Sequence, residues 1–318
     1  MDYTTLGATG LRVSVAGLGC GGSARLGMPW GKSKAESVAI VRQAIDLGVN
    51  FLDTAAAYGT EPIVGAAPAQ VPRASVVVAT KATIQDGDRL LSAQEVTASL
   101  DRSLRALRTD YIDLFQLHGV RPSAYDHAVE KLVPTLLQER DKGKLRHLGI
   151  TESPPNDPRH LVLQRAVHHG RFETMMLAFH MMNQSARETV FPAAQANRVG
   201  TIVMFAVRSL FSVPGRLQQT LRELAAAGRV PGWLAGRAQP LDFLIRDGGA
   251  SSVIDAAYRY ARHQPGVDVV LFGTGNLEHL RSNVASILKP PLPAADTARL
   301  NELFGALEGI GLDVPIRP

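Results

Sequence analysis

Eight short runs rich in β-branched and other apolar residues recur along the chain, separated by segments whose apolar residues repeat at helical spacing. The runs are VAGLGC (15–20), VNFLDT (49–54), SVVVATK (75–81), YIDLFQLH (111–118), RHLGIT (146–151), MMLAFHM (175–181), TIVMFAV (201–207) and DVVLFGT (268–274). Strands that are apolar almost throughout, rather than alternating, belong in a parallel sheet covered by helices on its outer face. Eight strand–helix units predict an α/β protein closed into a (β/α)8 TIM barrel, and 318 residues suit one such domain spanning 1–318. Helix starts are marked by S-x-x-E spacing at Ser33 and Glu36, Ser92 and Glu95, and Ser185 and Glu188, where serine and glutamate side chains satisfy free amides reciprocally. In the helix after the third run, Val96, Leu100, Leu104 and Leu107 form one apolar stripe, with Asp101, Arg102 and Arg105 left for solvent.

Two segments depart from this rhythm. DYTTLGATGLRVSVA at the start holds two short runs around Gly7 and Gly10, which predicts a hairpin ahead of the barrel that could cap its bottom. From about Phe211 to Ser251 runs a long connection after the seventh strand, with a helix expected over GRLQQTLRELAAAG. A long loop at that place would lie over the barrel mouth.

Composition narrows the class further. A single cysteine, Cys20, excludes an intramolecular disulfide framework and a cysteine zinc site. The net charge of +5 comes from scattered Lys and Arg rather than a basic block, which argues against a nucleic-acid partner. No apolar run approaches membrane-spanning length and the N-terminus has no signal-peptide pattern, so the expectation is a cytoplasmic protein with no membrane partner. His168 and His169 read as favourable charges at a helix end, and no metal-ligand spacing occurs, so no metal is expected.

GLGCGG (17–22) matches the G-x-G-x-x-G spacing of a dinucleotide-binding turn. That turn must lead directly from a strand into a helix, whereas here the next helix is expected only near Ser33. The anion site is expected instead at Gly273, Thr274, Gly275 and Asn276, which lead into the helix LEHLRSNVASIL with free amides at its start.

Barrel chemistry is placed at strand C-terminal ends and the loops beyond them. Those ends carry Asp53 and Tyr58 after the second strand, Lys81 on the third and His118 on the fourth. Each alone has a structural explanation, as a cap, a half-buried aromatic, a rim charge or a core histidine. Four on adjacent strand ends make a candidate site.

The segments GVNFLDTAAAYG (48–59), VVVATK (76–81), SLDRSLRALRTDYIDLFQLH (99–118), GKLRHLGIT (143–151) and FGTGNLEHLRSNV (272–284) resemble the successive signatures of the aldo-keto reductase superfamily, as a divergent branch. The resemblance implies a barrel oxidoreductase that interconverts an aldehyde or ketone and an alcohol, with Asp53, Tyr58, Lys81 and His118 as catalytic tetrad. Tyr58 would be the general acid and base; a phenol of pKa near 10 needs a nearby cation, Lys81 held by Asp53, to lower it. His118 would orient the carbonyl oxygen by a hydrogen bond. The resemblance favours NADPH, with NADH as the alternative because Gly273 and His279 stand where many relatives place Lys or Arg.

Cofactor contacts carried over from the resemblance are Thr151 and Glu152 where relatives have a Ser-Asn pair, Phe205 for ring stacking, the 273–276 segment, His279, and Asn283 toward the adenine. Met176 stands where relatives carry an amide-binding Gln. Trp30 and Trp233 are expected in loops at the mouth, as candidate contacts for a small carbonyl or sugar substrate. Alternative readings are an NAD-dependent aldose dehydrogenase and a cofactor-binding regulatory subunit with little turnover.

Overall fold

The computed structural model describes residues 1–246 and 249–312, so two residues of the long connection, 247 and 248, lie outside the described residues. An N-terminal hairpin pairs β1 (Tyr3–Thr5) antiparallel with β2 (Arg12–Ser14). β3 (Ala16–Gly19), β4 (Phe51–Asp53) and β5 (Val77–Thr83) follow, and a short ribbon of β6 (Gln85–Asp86) and β7 (Arg89–Leu90) extends from the end of β5. The remaining strands are β8 (Ile112–Val120), β9 (Leu145–Glu152), β10 (Thr174–Ala178), β11 (Gly200–Met204) and β12 (Val269–Phe272). β3, β4, β5, β8, β9, β10, β11 and β12 form a closed barrel in chain order, every neighbouring pair parallel. All eight expected strands are present, and the barrel is the (β/α)8 fold read from the sequence.

Two cores account for the layers. Outward-facing strand residues and the inner stripes of the helices make one continuous apolar shell. In the helix Ala93–Leu107, Val96, Leu100 and Leu107 are buried in it and Leu104 packs against it, which is the stripe the spacing predicts. A second, smaller cluster fills the barrel itself with Phe51, Ala79, Leu114, Met176, Ile202 and Val269, and Leu6 and Val13 of the hairpin belong to it. Fully burying side chains of this size contributes about 1.5–3 kcal/mol each. The hairpin therefore plugs the lower end of the barrel, and polar chemistry is left to the upper end.

Local signals hold at two of the three expected caps. Ser33 caps Lys34–Asp46 and Ser92 caps Ala93–Leu107, each with the reciprocal glutamate bond. Ser185 corrects the third expectation. It is already helical at φ −54° and ψ −32° and makes no cap, because its hydroxyl is drawn to His160 Nε2 at 2.9 Å. Beyond β11 the long connection carries short helices over Ser209–Ser212, Arg216–Ala226 and Gly232–Ala235. The buried Arg259 guanidinium secures its far end, donating to the carbonyls of Gly249, Pro290 and Pro291 at 2.8, 2.8 and 2.9 Å.

Candidate active site

Lys81 is fully buried on β5, an unusual place for an ammonium unless it is paired. Its Nζ donates to Asp53 Oδ1 and Oδ2 at 2.7 and 2.8 Å and to the Thr54 carbonyl at 2.8 Å. The β4–β5 register sets Asp53 beside Ala79, two residues before Lys81, which brings the two charges to one end of the barrel. Burial opposes charge on Lys81, but Asp53 and Tyr58 hold its proton and the net direction is upward. Burial likewise raises the Asp53 carboxyl, against the pull of Lys81.

Tyr58 ends the 3-10 turn Ala56–Tyr58, which Gly59 closes in the left-handed region at φ +73°. A hydrogen bond between the buried Thr54 and Thr60 hydroxyls, 2.8 Å, ties the two sides of this loop. Lys81 Nζ lies 5.2 Å from the Tyr58 ring centroid. Burial pushes the phenol above its ordinary value and outweighs the lowering effect of Lys81. Lys81 acts in the expected direction, and burial opposes it.

The Tyr58 hydroxyl is 3.2 Å from His118 Nε2, with the two rings edge to face at 5.4 Å. Burial, helped by the Lys81 charge, pushes the imidazole down to about 3, so His118 is neutral. Beyond His118 the β8–β9 register shifts between Leu117 and Val120, and the Thr151 hydroxyl accepts from the Gly119 amide at 2.7 Å. All four rim residues thus gather at one end of the barrel.

Several contributors carry no local sequence signal. Gly21 is one: a Cβ there would come within 2.3 Å of Tyr58 Cε2. Gly17 is another, facing Leu271, Phe51 and Val269 inside the barrel. GLGCGG therefore owes two of its glycines to close packing, and its strand is followed by a 3-10 turn at Arg25–Trp30 before the helix at Lys34. Gln116, inside the barrel beside Lys81 in register, is buried, and neither of its amide atoms has a hydrogen-bond partner among the described residues.

The residues expected at the cofactor are placed as follows. Glu152 is fully enclosed: Oε1 accepts from the Ala178 amide at 2.8 Å and Oε2 meets His160 Nδ1 at 2.6 Å. Its oxygens serve this buried relay rather than the open mouth. Met176 lies in the barrel interior. Phe205 is half-buried just past β11 in a left-handed conformation, φ +71°, with the Arg208 guanidinium 4.0 Å from its ring centroid. Such a backbone is strained for a bulky residue and marks a position held by its surroundings. After β12, Gly273 is exposed and Thr274 Oγ1 accepts from the Asn276 amide at 3.0 Å. Asn276 caps the helix Leu277–Ile287, accepting from the Glu278 and His279 amides at 2.7 and 3.1 Å. Asn283 is half-buried on the same helix. A half-exposed aromatic beside an arginine fits the ring end of a dinucleotide. At the phosphate end the expectation of free helix amides is corrected, because the Asn276 side chain itself takes the Glu278 and His279 amides, and Glu152 and Met176 do not supply the usual carboxamide contacts.

Trp30 is exposed and packs toward the turn after β12, where a Cβ on Gly275 would meet Trp30 Cζ3 at 3.2 Å. Trp233 lies on the short helix Gly232–Ala235 between Arg237 and Arg299, 5.1 and 5.4 Å from its ring centroid. Neither lines the cavity beside His118. Cys20 is buried, and burial followed by Asp53 raises its thiol far from thiolate chemistry. His168 and His169 occupy the last turn of the helix Leu161–His169. Among the described residues no helix is long and apolar enough to cross a membrane.

The barrel gathers a phenol, a neutral imidazole and a buried lysine–carboxylate pair at its upper end, the end where barrel enzymes place their chemistry. The aldo/keto reductase family model matches residues 18–304, and the chain belongs to that family, whose enzymes use nicotinamide cofactors. Over 209 residues it is 34% identical to L-galactose dehydrogenase from Arabidopsis thaliana, a stretch covering 64% of each protein. It is 28% identical over 300 residues to aldo-keto reductase YhdN from Bacillus subtilis, covering 88% of each. The solved structure of aldo-keto reductase AKR11C1 from Bacillus halodurans shares the fold with a TM-score of 0.70 at 22% identity, over 98% of this chain and 100% of that one.

Proposed function

We propose that this aldo-keto reductase interconverts an aldehyde or ketone and an alcohol with Tyr58 as general acid and base, assisted by Lys81, Asp53 and His118. The observation that carries the reading is the Tyr58 hydroxyl set 3.2 Å from His118 Nε2 above a buried Lys81 locked to Asp53. A bound nicotinamide supplies the hydride in reduction and takes it back in oxidation. Tyr58, kept protonated by burial, delivers the proton to the substrate oxygen, and the Lys81 charge stabilises the phenolate that remains. Neutral His118 donates from Nε2 to the same oxygen and orients it as negative charge develops. Phe205 would stack on the nicotinamide ring, Thr151 would face its carboxamide, and Gly273 to Asn276, His279 and Asn283 would hold the phosphate and adenine end. NADPH is the favoured cofactor on the family's habit. NADH is the competitor, since no Lys or Arg stands at 273 or 279.

The likeness to L-galactose dehydrogenase supports a second reading, an aldose dehydrogenase working with NAD. The lone buried Cys20 supports a cytoplasmic setting. The test is Tyr58→Phe, assayed by cofactor fluorescence titration and by nicotinamide absorbance on a panel of aldehydes, ketones and aldoses. Cofactor affinity is expected to hold while turnover falls about 10²–10⁴-fold, the usual weight of a positioned acid. Parent-like turnover would remove Tyr58 from the role, and binding without turnover in the parent would favour a regulatory subunit.

A further inference from the structure

A cavity of about 260 Å³ opens beside His118, lined by Thr83, Gln85, Gly119, Arg121 and Ser153 together with the imidazole. Its charge is one-sided: the lining holds one guanidinium and no carboxylate. The nearest carboxylate recorded for Arg121 is the fully exposed Asp88, whose Oδ1 is 4.0 Å from Nη1, the outer limit of an ion pair and worth little in water. Neighbouring Arg89, by contrast, is engaged by Glu95 at 2.9 Å. The Ser153 hydroxyl accepts from Asn156 at 2.8 Å and keeps its own O–H to donate. Gly119 sits in the left-handed region at φ +62°, where an added Cβ would meet nothing within 4 Å, so the backbone between His118 and Arg121 is open to the cavity.

We infer that the substrate of this site is a small carbonyl compound carrying a carboxylate, which Arg121 recognises while the carbonyl oxygen lies at Tyr58 and His118. The inference rests on the carbonyl-reductase reading above and deepens it. A guanidinium presents a planar fork that matches a carboxylate bidentately, and a substrate acid inside the cavity is a better partner than an aspartate in bulk water. Arg121 and His118 border the same cavity, so one small molecule can present its acid to the first and its carbonyl to the second.

The experiment compares parent, Arg121→Gln and Arg121→Lys on pairs of aldehydes matched in size, one acidic and one neutral: 4-oxobutanoate against pentanal, and 2-carboxybenzaldehyde against 2-methylbenzaldehyde. Thermal melting and cofactor titration establish that each variant is folded. The parent is expected to prefer the acid at least tenfold in kcat/KM, and added salt to erode that preference. In Arg121→Gln the ratio should collapse toward one, the loss falling on KM for the acid rather than on kcat; Arg121→Lys, which keeps the charge without the fork, should fall between. A parent ratio near one, or an unchanged ratio in folded Arg121→Gln, overturns the inference and leaves the reductase intact. Absence of turnover on every aldehyde with both NADPH and NADH overturns the reductase reading and this one with it.

Discussion

Gly21 and Tyr58 are in direct contact across the loop after β3: the space that a Gly21 side chain would occupy is filled by the Tyr58 ring, whose Cε2, Cδ2 and Cζ all lie within 2.6 Å of the built Cβ position. Aromatic carbon cannot approach a methyl so closely, so any larger residue must push the ring aside. Gly21→Ala is expected to lower kcat about 100-fold or more, since misplacing a reacting group by about 1 Å costs that much. Cofactor affinity should stay within a few-fold. Steady-state kinetics beside a fluorescence titration checks this; an unchanged kcat would mean that the ring can shift without cost.

His118 gives a dependence on pH with a definite sign. Its folded-state pKa of about 3 lies below the ordinary histidine value, so between about pH 6.5 and pH 3 the unfolded chain binds the proton that the native chain refuses. Stability contributed this way is present above pH 6.5 and falls on acidification, by up to about 1.4 kcal/mol per unit. Urea unfolding from pH 7 to pH 5 should show a smaller loss in His118→Asn than in the parent. The parent's kcat should show no inflection near 6.5 that disappears in this variant.

Glu152 and His160 form a fully buried pair that also engages the Ser185 hydroxyl and the Ala178 amide. Removing one member of a buried ionic or hydrogen-bonded pair strands the other away from water, at a cost of about 3–5 kcal/mol. His160→Ala should therefore destabilise by that order, and Glu152→Asn, which installs the residue common in relatives, should destabilise too rather than restore a better site. Denaturant midpoints decide between these outcomes.

Phe205 is held at φ +71° with Arg208 over its ring. Phe205→Ala removes the proposed stacking surface, worth about 0.5–1.5 kcal/mol beyond area burial. Cofactor Kd should rise up to about tenfold by isothermal titration calorimetry. An unchanged Kd would place the nicotinamide elsewhere.

The eight strands, the hairpin and two helix caps were legible because each rests on residues close in sequence: an apolar run, a turn glycine, a serine three residues before a glutamate. The rim residues Asp53, Tyr58, Lys81 and His118 were legible for a related reason, since a barrel places strand ends on one rim whatever the loops do. Ser185 shows where that reasoning stops. Its S-x-x-E spacing is locally sufficient for a cap, yet a histidine 25 residues earlier competes for the hydroxyl and wins. Glu152, a misfit in the linear pattern, has its acceptors spoken for by an amide from β10 and by His160. Gly21 and Arg121 belong to the same group, one defined by a ring 37 positions away and the other by the emptiness beside it. Sequence by itself determined the barrel and the chemistry presented at its rim, because backbone periodicity and strand direction are local properties. Tertiary structure alone decided which polar groups spend their hydrogen bonds on one another and which remain open to a substrate, because that choice depends on distances between segments that no local pattern encodes.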